Sequence, residues 1–245
     1  MTQKIPKIIW SMWYQGTDKA PEWAKLCWET FSIQNPEWEL RIITDENISK
    51  WIPNHLEYCR FVNRSKGWNN RDETWRLCLL KKYGGVWVDA SVICTKPLDN
   101  WLHSSCSDGF FVFKAPSTKE RFILSNFFIA STPDNLIINK WIEKCKEHLD
   151  RVPYKNEYFY PHNTYKYLYN TDKYFKSIHD NMVTISRHSV HVLQKKEKDH
   201  KVIINIAPIQ KLNGTKEKFH DYYKKFIMFV LNNHEISESK LISDV

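Results

Sequence analysis

Three charged residues stand where an alternating strand and helix pattern presents side chains to a ligand. Asp89 follows the apolar run Val86-Trp87-Val88, Asp45 follows the run from Glu39 to Thr44, and Arg76 lies in the helical stretch leading to Asp89. An acid at a strand's carboxyl end sits on the edge where open α/β sheets bind ligands, and a carboxylate there can accept from hydroxyls or hold a hard cation. A guanidinium is a planar fork suited to paired oxygens such as those of a diphosphate or of sugar hydroxyls. Each residue alone has a plainer use: Asp89 would cap a turn, and Arg76 would pair with Asp72 one helical turn away. The segment that carries both decides for a site.

That segment, NNRDETWRLCLLKKYGGVWVDASVICTKPL, spans Asn69 to Leu98. Asn69, Asn70 and Asp72 supply a helix start, Trp75, Leu77, Cys78, Leu79 and Leu80 an apolar face, and Lys81 and Lys82 suit the negative end of the helix dipole. Gly84-Gly85 ends the helix, and the β-branched and aromatic run after it reads as a strand. The same alternation along the chain predicts an α/β fold with a mostly parallel sheet. Strands are expected at 5–10, 39–44, 86–88, 92–94, 110–114, 126–131, 182–185 and 202–206. Helices are expected at 21–34, 46–51, 70–83, 118–124, 135–149, 158–170 and 216–231. At 245 residues, with no linker or repeat, the chain reads as one domain, a ligand-binding half over 1–100 and a second half over 101–245 ending in a helix.

The glycine-flanked segment resembles glycosyltransferases of the capsular polysaccharide synthesis type, relatives of the D-x-D sugar-binding transferases that include family 32 and the large clostridial toxins. Their helix S-D-x-x-R-x-x-x-L-x-x-x-G-G followed by a strand ending in D-x-D or D-A-T/S is matched here by Arg76, Leu80, Gly84, Gly85, Asp89, Ala90 and Ser91. The opening Ile5-Pro6-Lys7-Ile8-Ile9-Trp10, with Trp13 and Gly16 after it, is similar to the same family's first strand. Two positions depart from the pattern: Glu73 replaces an aspartate three before Arg76, with Asp72 one earlier, and Ser91 replaces the second acid.

The resemblance implies a single Rossmann-like GT-A domain that moves a sugar from a nucleotide diphosphate sugar, a UDP-sugar first, to a glycan acceptor. It implies a divalent ion, Mn²⁺ or Mg²⁺, held by Asp89 and Ser91 with a late histidine, His191, to stabilise the departing diphosphate. It places Trp10, Trp13, Asp45, Asp72, Glu73, Arg76, Asp89 and Lys211 on the donor; an inverting enzyme would need a catalytic carboxylate base on the acceptor side, for which Glu157 or Asp134 stands, and a retaining one needs none so placed. Trp10 alternates equally well as a core residue. His162, after Glu157-Tyr158-Phe159, matches the family's D-Y-F-x-x-H loosely, and Asn126 and Phe128 its strand near the acceptor. The competing reading is a non-catalytic module, binding nucleotide sugars or glycans, in which D-A-S is a degenerate site.

Composition narrows the partners. The net charge of +8 favours anions, and 15% aromatic residues supply ring platforms for sugars as well as core. No nucleic-acid-binding signature accompanies the charge, so nucleic acid is not an expected partner. The stretch 216–231 patterns as a basic amphipathic helix, for which packing is a commoner use than peripheral contact with an anionic membrane. The six cysteines form no C-x-x-C pair, which excludes a zinc site of the usual spacing and suits free thiols. With the first strand beginning near residue 4 and no apolar run long enough to span a bilayer, the expected location is cytoplasmic.

Overall fold

Strand β1 (Ile8–Met12) runs parallel to β2 (Glu39–Ile43) on one side and to β3 (Gly85–Val88) on the other. The computed structural model describes residues 4–54, 69–151, 159–194, 199–213 and 220–233, with the side chains of 69–73 and 220 outside that description. Beyond β3 come β6 (Leu124–Ser131) and then β5 (Phe110–Lys114), giving the order β2-β1-β3-β6-β5. Only β6 opposes the other four strands, being antiparallel to both neighbours. All four residues of β3 are buried, as a strand covered on both faces requires. A two-stranded antiparallel sheet of β4 (Val92–Cys94) and β7 (Ile209–Lys211) stands beside the main one.

The double glycine sets how β3 meets β1. Gly85 has φ 95°, and a Cβ there would lie 2.5 Å from the Ile8 carbonyl oxygen, so only glycine lets the strands approach this closely. Trp10 Nε1 donates to the Gly84 carbonyl at 2.9 Å, and Trp10 pairs with Trp87 across the strands. The register carries Asp89 to the sheet edge as the first residue after β3.

Helices α1 (Glu22–Gln34), α2 (Ile48–Trp51) and α3 (Asn69–Tyr83) lie within the first hundred residues, and the short α4 (Leu102–Ser105) opens the second half. The second half contributes α5 (Leu136–Arg151), α6 (Tyr160–Thr171), α7 (Lys173–Asn181), α8 (His200–Ile206) and α9 (His220–Asn232). The main core lies on the sheet, with Trp10, Trp75, Trp87, Trp141 and Phe128 fully enclosed. A second core joins Cys27 of α1 and Ile93 of β4 to Tyr222, Tyr223, Phe226, Ile227 and Val230 of α9. The apolar face of α9 is therefore covered by protein. Among the described residues no helix is long and apolar enough to cross a membrane, and the five described cysteines are free.

Four expectations need correction. The first strand starts at Ile8 instead of residue 5, because Ile8 N bonds the Pro6 carbonyl in a tight turn, and it takes in Ser11 and Met12. Residues 202–206 are helical despite their β-branched run, since the Asp199 side chain accepts from Lys201 N and starts α8. Residues 182–185 follow helix α7, which Asp172 caps through Tyr174 N and Phe175 N, and form no strand. The expected helix at 118–124 is turn and bend leading into β6, and α4 and β7 stand where none was expected.

Candidate functional site

Asp89 and Ser91 belong to one tight turn in which Val92 N donates to the Asp89 carbonyl at 3.1 Å. The backbone closes the turn, so the Asp89 carboxylate is left to the side chains around it. Trp87 Nε1 donates to Asp89 Oδ1 at 3.1 Å, Arg76 Nη2 lies 3.5 Å from the same oxygen, and Lys211 Nζ lies 3.4 Å from Oδ2. Lys211 also donates to Ser91 Oγ. The plainer reading of Asp89 as a turn cap therefore fails.

Each partner is delivered by the fold. Antiparallel pairing of β3 with β6 extends one step past Val88, where Asp89 N donates to the Phe127 carbonyl at 2.9 Å. The next carbonyl, of Asn126, accepts from Arg76 Nη1 at 2.5 Å. Arg76 itself is 4% exposed, on the inner side of α3, with its guanidinium 5.0 Å from the Trp87 ring centroid. That placement rules out a surface arginine. Lys211 arrives from the other direction: it pairs with Val92 in the β4–β7 ladder, and Leu212 N donates to the Ser91 carbonyl at 2.7 Å.

Burial works against an ionised Asp89, but the Lys211 and Arg76 charges and the hydrogen bonds from Trp87 and Lys211 outweigh it and hold the carboxyl below the usual range. The Asp89 side chain keeps 29% of its surface open and that of Lys211 18%, so the cluster faces solvent on one side. His162, packed against Phe122 and Phe159, is close enough to feel Arg76 and Asp89. Burial, with Arg76 and Arg187, pushes its pKa down to about 4, and its Nδ1 has no hydrogen-bond partner among the described residues.

The other expected residues divide. Trp13 packs against a small cluster of Ala20, Ala24, Trp28 and Ala90 and meets the Trp23 ring edge-on at 6.0 Å. Asp45 is exposed at the end of β2, on the same sheet edge, where its N–H bonds the Tyr14 carbonyl at 3.0 Å. Trp10 is fully buried against Trp51 and Tyr83, with the Arg41 guanidinium above its ring, so it is a core residue that offers no face to a donor. Phe128 is likewise core. The side chains of Asp72 and Glu73, in the first turns of α3, and all of Glu157 lie outside the described residues. Trp87, which the sequence offers only as a strand residue, proves central; its place two before Asp89 on one face of the strand is the signal that points to it.

A divalent ion needs several lone pairs turned to one point. Asp89 and Ser91 are instead spanned by the Lys211 ammonium, and the His191 ring stands edge-on to Phe127 at 5.3 Å. No three His, Cys, Asp or Glu side chains converge on a metal position among the described residues. The described donor set does not fit a divalent ion.

A helix ending in two glycines thus leads into a buried strand whose edge presents an acid held by a basic cluster. Residues 1–226 match the family described as "Capsular polysaccharide synthesis protein", and the chain belongs to that family. It is similar to "Glycosyltransferase afumC" of Aspergillus fumigatus, 26% identical over 161 residues that cover 58% of this chain and 40% of that protein. It is similar as well to "Inositol phosphoceramide mannosyltransferase 1" of Schizosaccharomyces pombe, 29% identical over 136 residues, 54% of this chain and 40% of the relative. The match thus spans about two-fifths of the length of these relatives. Among solved structures, "PaToxG Glycosyltransferase" superposes with a TM-score of 0.50 at 19% identity, covering 69% of each chain, a likeness of fold.

Proposed function

We propose that this chain is a glycosyltransferase that moves a sugar from a nucleotide diphosphate donor, with UDP-sugars the first candidates, to a hydroxyl of a glycan acceptor. The observation that carries the reading is the convergence of Arg76, Trp87 and Lys211 on Asp89 at the open sheet edge. In the transfer, the bond from the anomeric carbon to the diphosphate oxygen breaks with its electron pair going to that oxygen. The acceptor oxygen bonds the same carbon, and its proton passes to solvent. What needs stabilising is negative charge growing on the diphosphate, for which fixed cations and N–H donors in a partly enclosed site are the effective device. Asp89, held ionised, orients those cations and offers an acceptor to donor hydroxyls. Trp13, just after β1, and Asp45, after β2 on the same edge, complete a surface for the nucleoside. The five described free thiols suit a reducing compartment, and we place the activity in the cytoplasm.

A thermal-shift panel of UDP-linked and GDP-linked sugars, mannose included because one relative is a mannosyltransferase, tests this reading. A ligand at a hundred times its Kd stabilises the native state by about 2.7 kcal/mol. A clear rise in Tm with one donor, together with slow release of free nucleotide, is the expected result. Binding without release in the presence of any tested acceptor would make the chain a binding module, and no shift with any donor would remove the nucleotide-sugar reading.

A further inference from the structure

The first and third positions of the Asp89-Ala90-Ser91 turn are where the D-x-D pattern puts two acids on one cation. Here one ammonium occupies that place. Lys211 Nζ donates to Ser91 Oγ and stands 3.4 Å from Asp89 Oδ2, with the Phe127 ring centroid 5.8 Å away. Here one carboxylate stands between the Lys211 ammonium and the Arg76 guanidinium, so two cations meet one anion without any metal. With serine at 91 and an amine at 211, the cluster presents positive charge to an anion without an ion. A dication brought to the remaining single carboxylate would meet the lysine as a neighbour of like sign, which disfavours it.

We infer that Lys211 takes the metal's place: its ammonium binds the diphosphate of the donor directly and stabilises the oxygen that leaves, making nucleotide binding independent of divalent ions. This rests on the nucleotide-sugar reading above. In the transfer Lys211 remains protonated, donating a hydrogen bond to the phosphoryl oxygen that gains the electron pair, and no proton leaves it. The β4–β7 pairing of Lys211 with Val92 holds the amine there from the backbone, so its position does not depend on the side chain alone.

Calorimetry of UDP and of GDP with the full chain, in EDTA and in Mn²⁺, tests the inference. The nucleotide that binds should do so with a Kd unchanged within about twofold between the two conditions, and Lys211→Met should weaken it by about tenfold or more in EDTA. The double variant Ser91→Asp with Lys211→Met restores an acid pair without the amine, and should recover binding only when Mn²⁺ is present. That gain cannot come from misfolding. Wild-type binding that requires Mn²⁺, with Lys211→Met indistinguishable from it, would overturn the lysine's role and leave the nucleotide-sugar reading standing. Binding of neither nucleotide in either condition would overturn both.

Discussion

Arg76 and Trp87 form a single unit beneath Asp89. The guanidinium lies 5.0 Å from the indole centroid, and the indole N–H and the guanidinium both address Asp89 Oδ1, at 3.1 Å and 3.5 Å. The ring and the cation together hold the carboxylate. Changes in this unit should therefore be felt in both stability and binding.

Arg76→Lys keeps the charge and loses the fork, the carbonyl contact to Asn126 and the guanidinium's place over the Trp87 ring. Because the residue is buried, folding stability should fall by about 1–3 kcal/mol, and donor affinity and turnover with it. Arg76→Ala, which strips a buried partner from Asp89, should cost more, about 3–5 kcal/mol. Urea denaturation and donor titration of both variants measure this; a lysine variant with wild-type stability and turnover would take Arg76 out of the site.

Trp87→Phe removes one N–H and keeps a ring. With that donor gone, the Asp89 carboxyl should titrate closer to the ordinary carboxylate value of about 3.9, and stability should drop by about 1–2 kcal/mol. Carbon-detected NMR of the aspartate carboxyls across the acid range reads the shift, and an unmoved Asp89 would show that the indole bond is idle.

Acid should act first on two buried histidines. His162, among Arg76, Arg187 and Asp89, and His179, beside Lys114, Lys176 and Asp180 and in contact with Tyr165, both have pKa values of about 4, chiefly because burial disfavours the charged ring. An unfolded chain takes up these protons near pH 6.5 and the native one does not, so stability present above about 6.5 is lost as pH falls toward 4. Each ring contributes a loss on the order of 3 kcal/mol over that interval. Asp89, with its lowered value, adds a further loss that begins only near and below about 3.9. Denaturation at stepped pH should show a shallower slope between 6.5 and 4 in His162→Gln; an unchanged slope would mean that His162 is already charged in the native state.

Gly85→Ala should be among the most damaging small changes in the chain. The new methyl would sit 2.5 Å from the Ile8 carbonyl oxygen at a backbone φ of 95°. We expect a loss of about 3 kcal/mol or more, because strand separation and left-handed strain act together. Thermal unfolding reads it, and a Tm within the wild-type error would mean that β1 and β3 can part at no cost.

The helix, the glycine pair, the strand and Asp89 were legible because they are consecutive: periodicity, glycine chemistry and strand polarity all operate within Asn69 to Asp89. The cluster around that acid was less so. Lys211 meets Ser91 across 120 positions of sequence, and nothing local to Gln210-Lys211-Leu212 distinguishes a ligand-facing lysine from a solvated one. Trp10 misled because a tryptophan near a site has two uses, and its burial against Trp51 and Tyr83 with its bond to the Gly84 carbonyl shows which applies. The run Val202-Ile203-Ile204-Asn205-Ile206 misled in secondary structure, where β-branched content suggested a strand and the Asp199 cap made a helix.

The pairing of Val92 with Lys211 also fixes when the site can exist during synthesis. Asp89 and Arg76 leave the ribosome early, yet the amine that faces them is made more than a hundred residues later. A nascent chain ending before β7 would carry the acid and the arginine without the lysine, with one edge of β4 unpaired and part of the second core exposed to other chains. The Asp89 cluster is therefore complete only once β7 has been made.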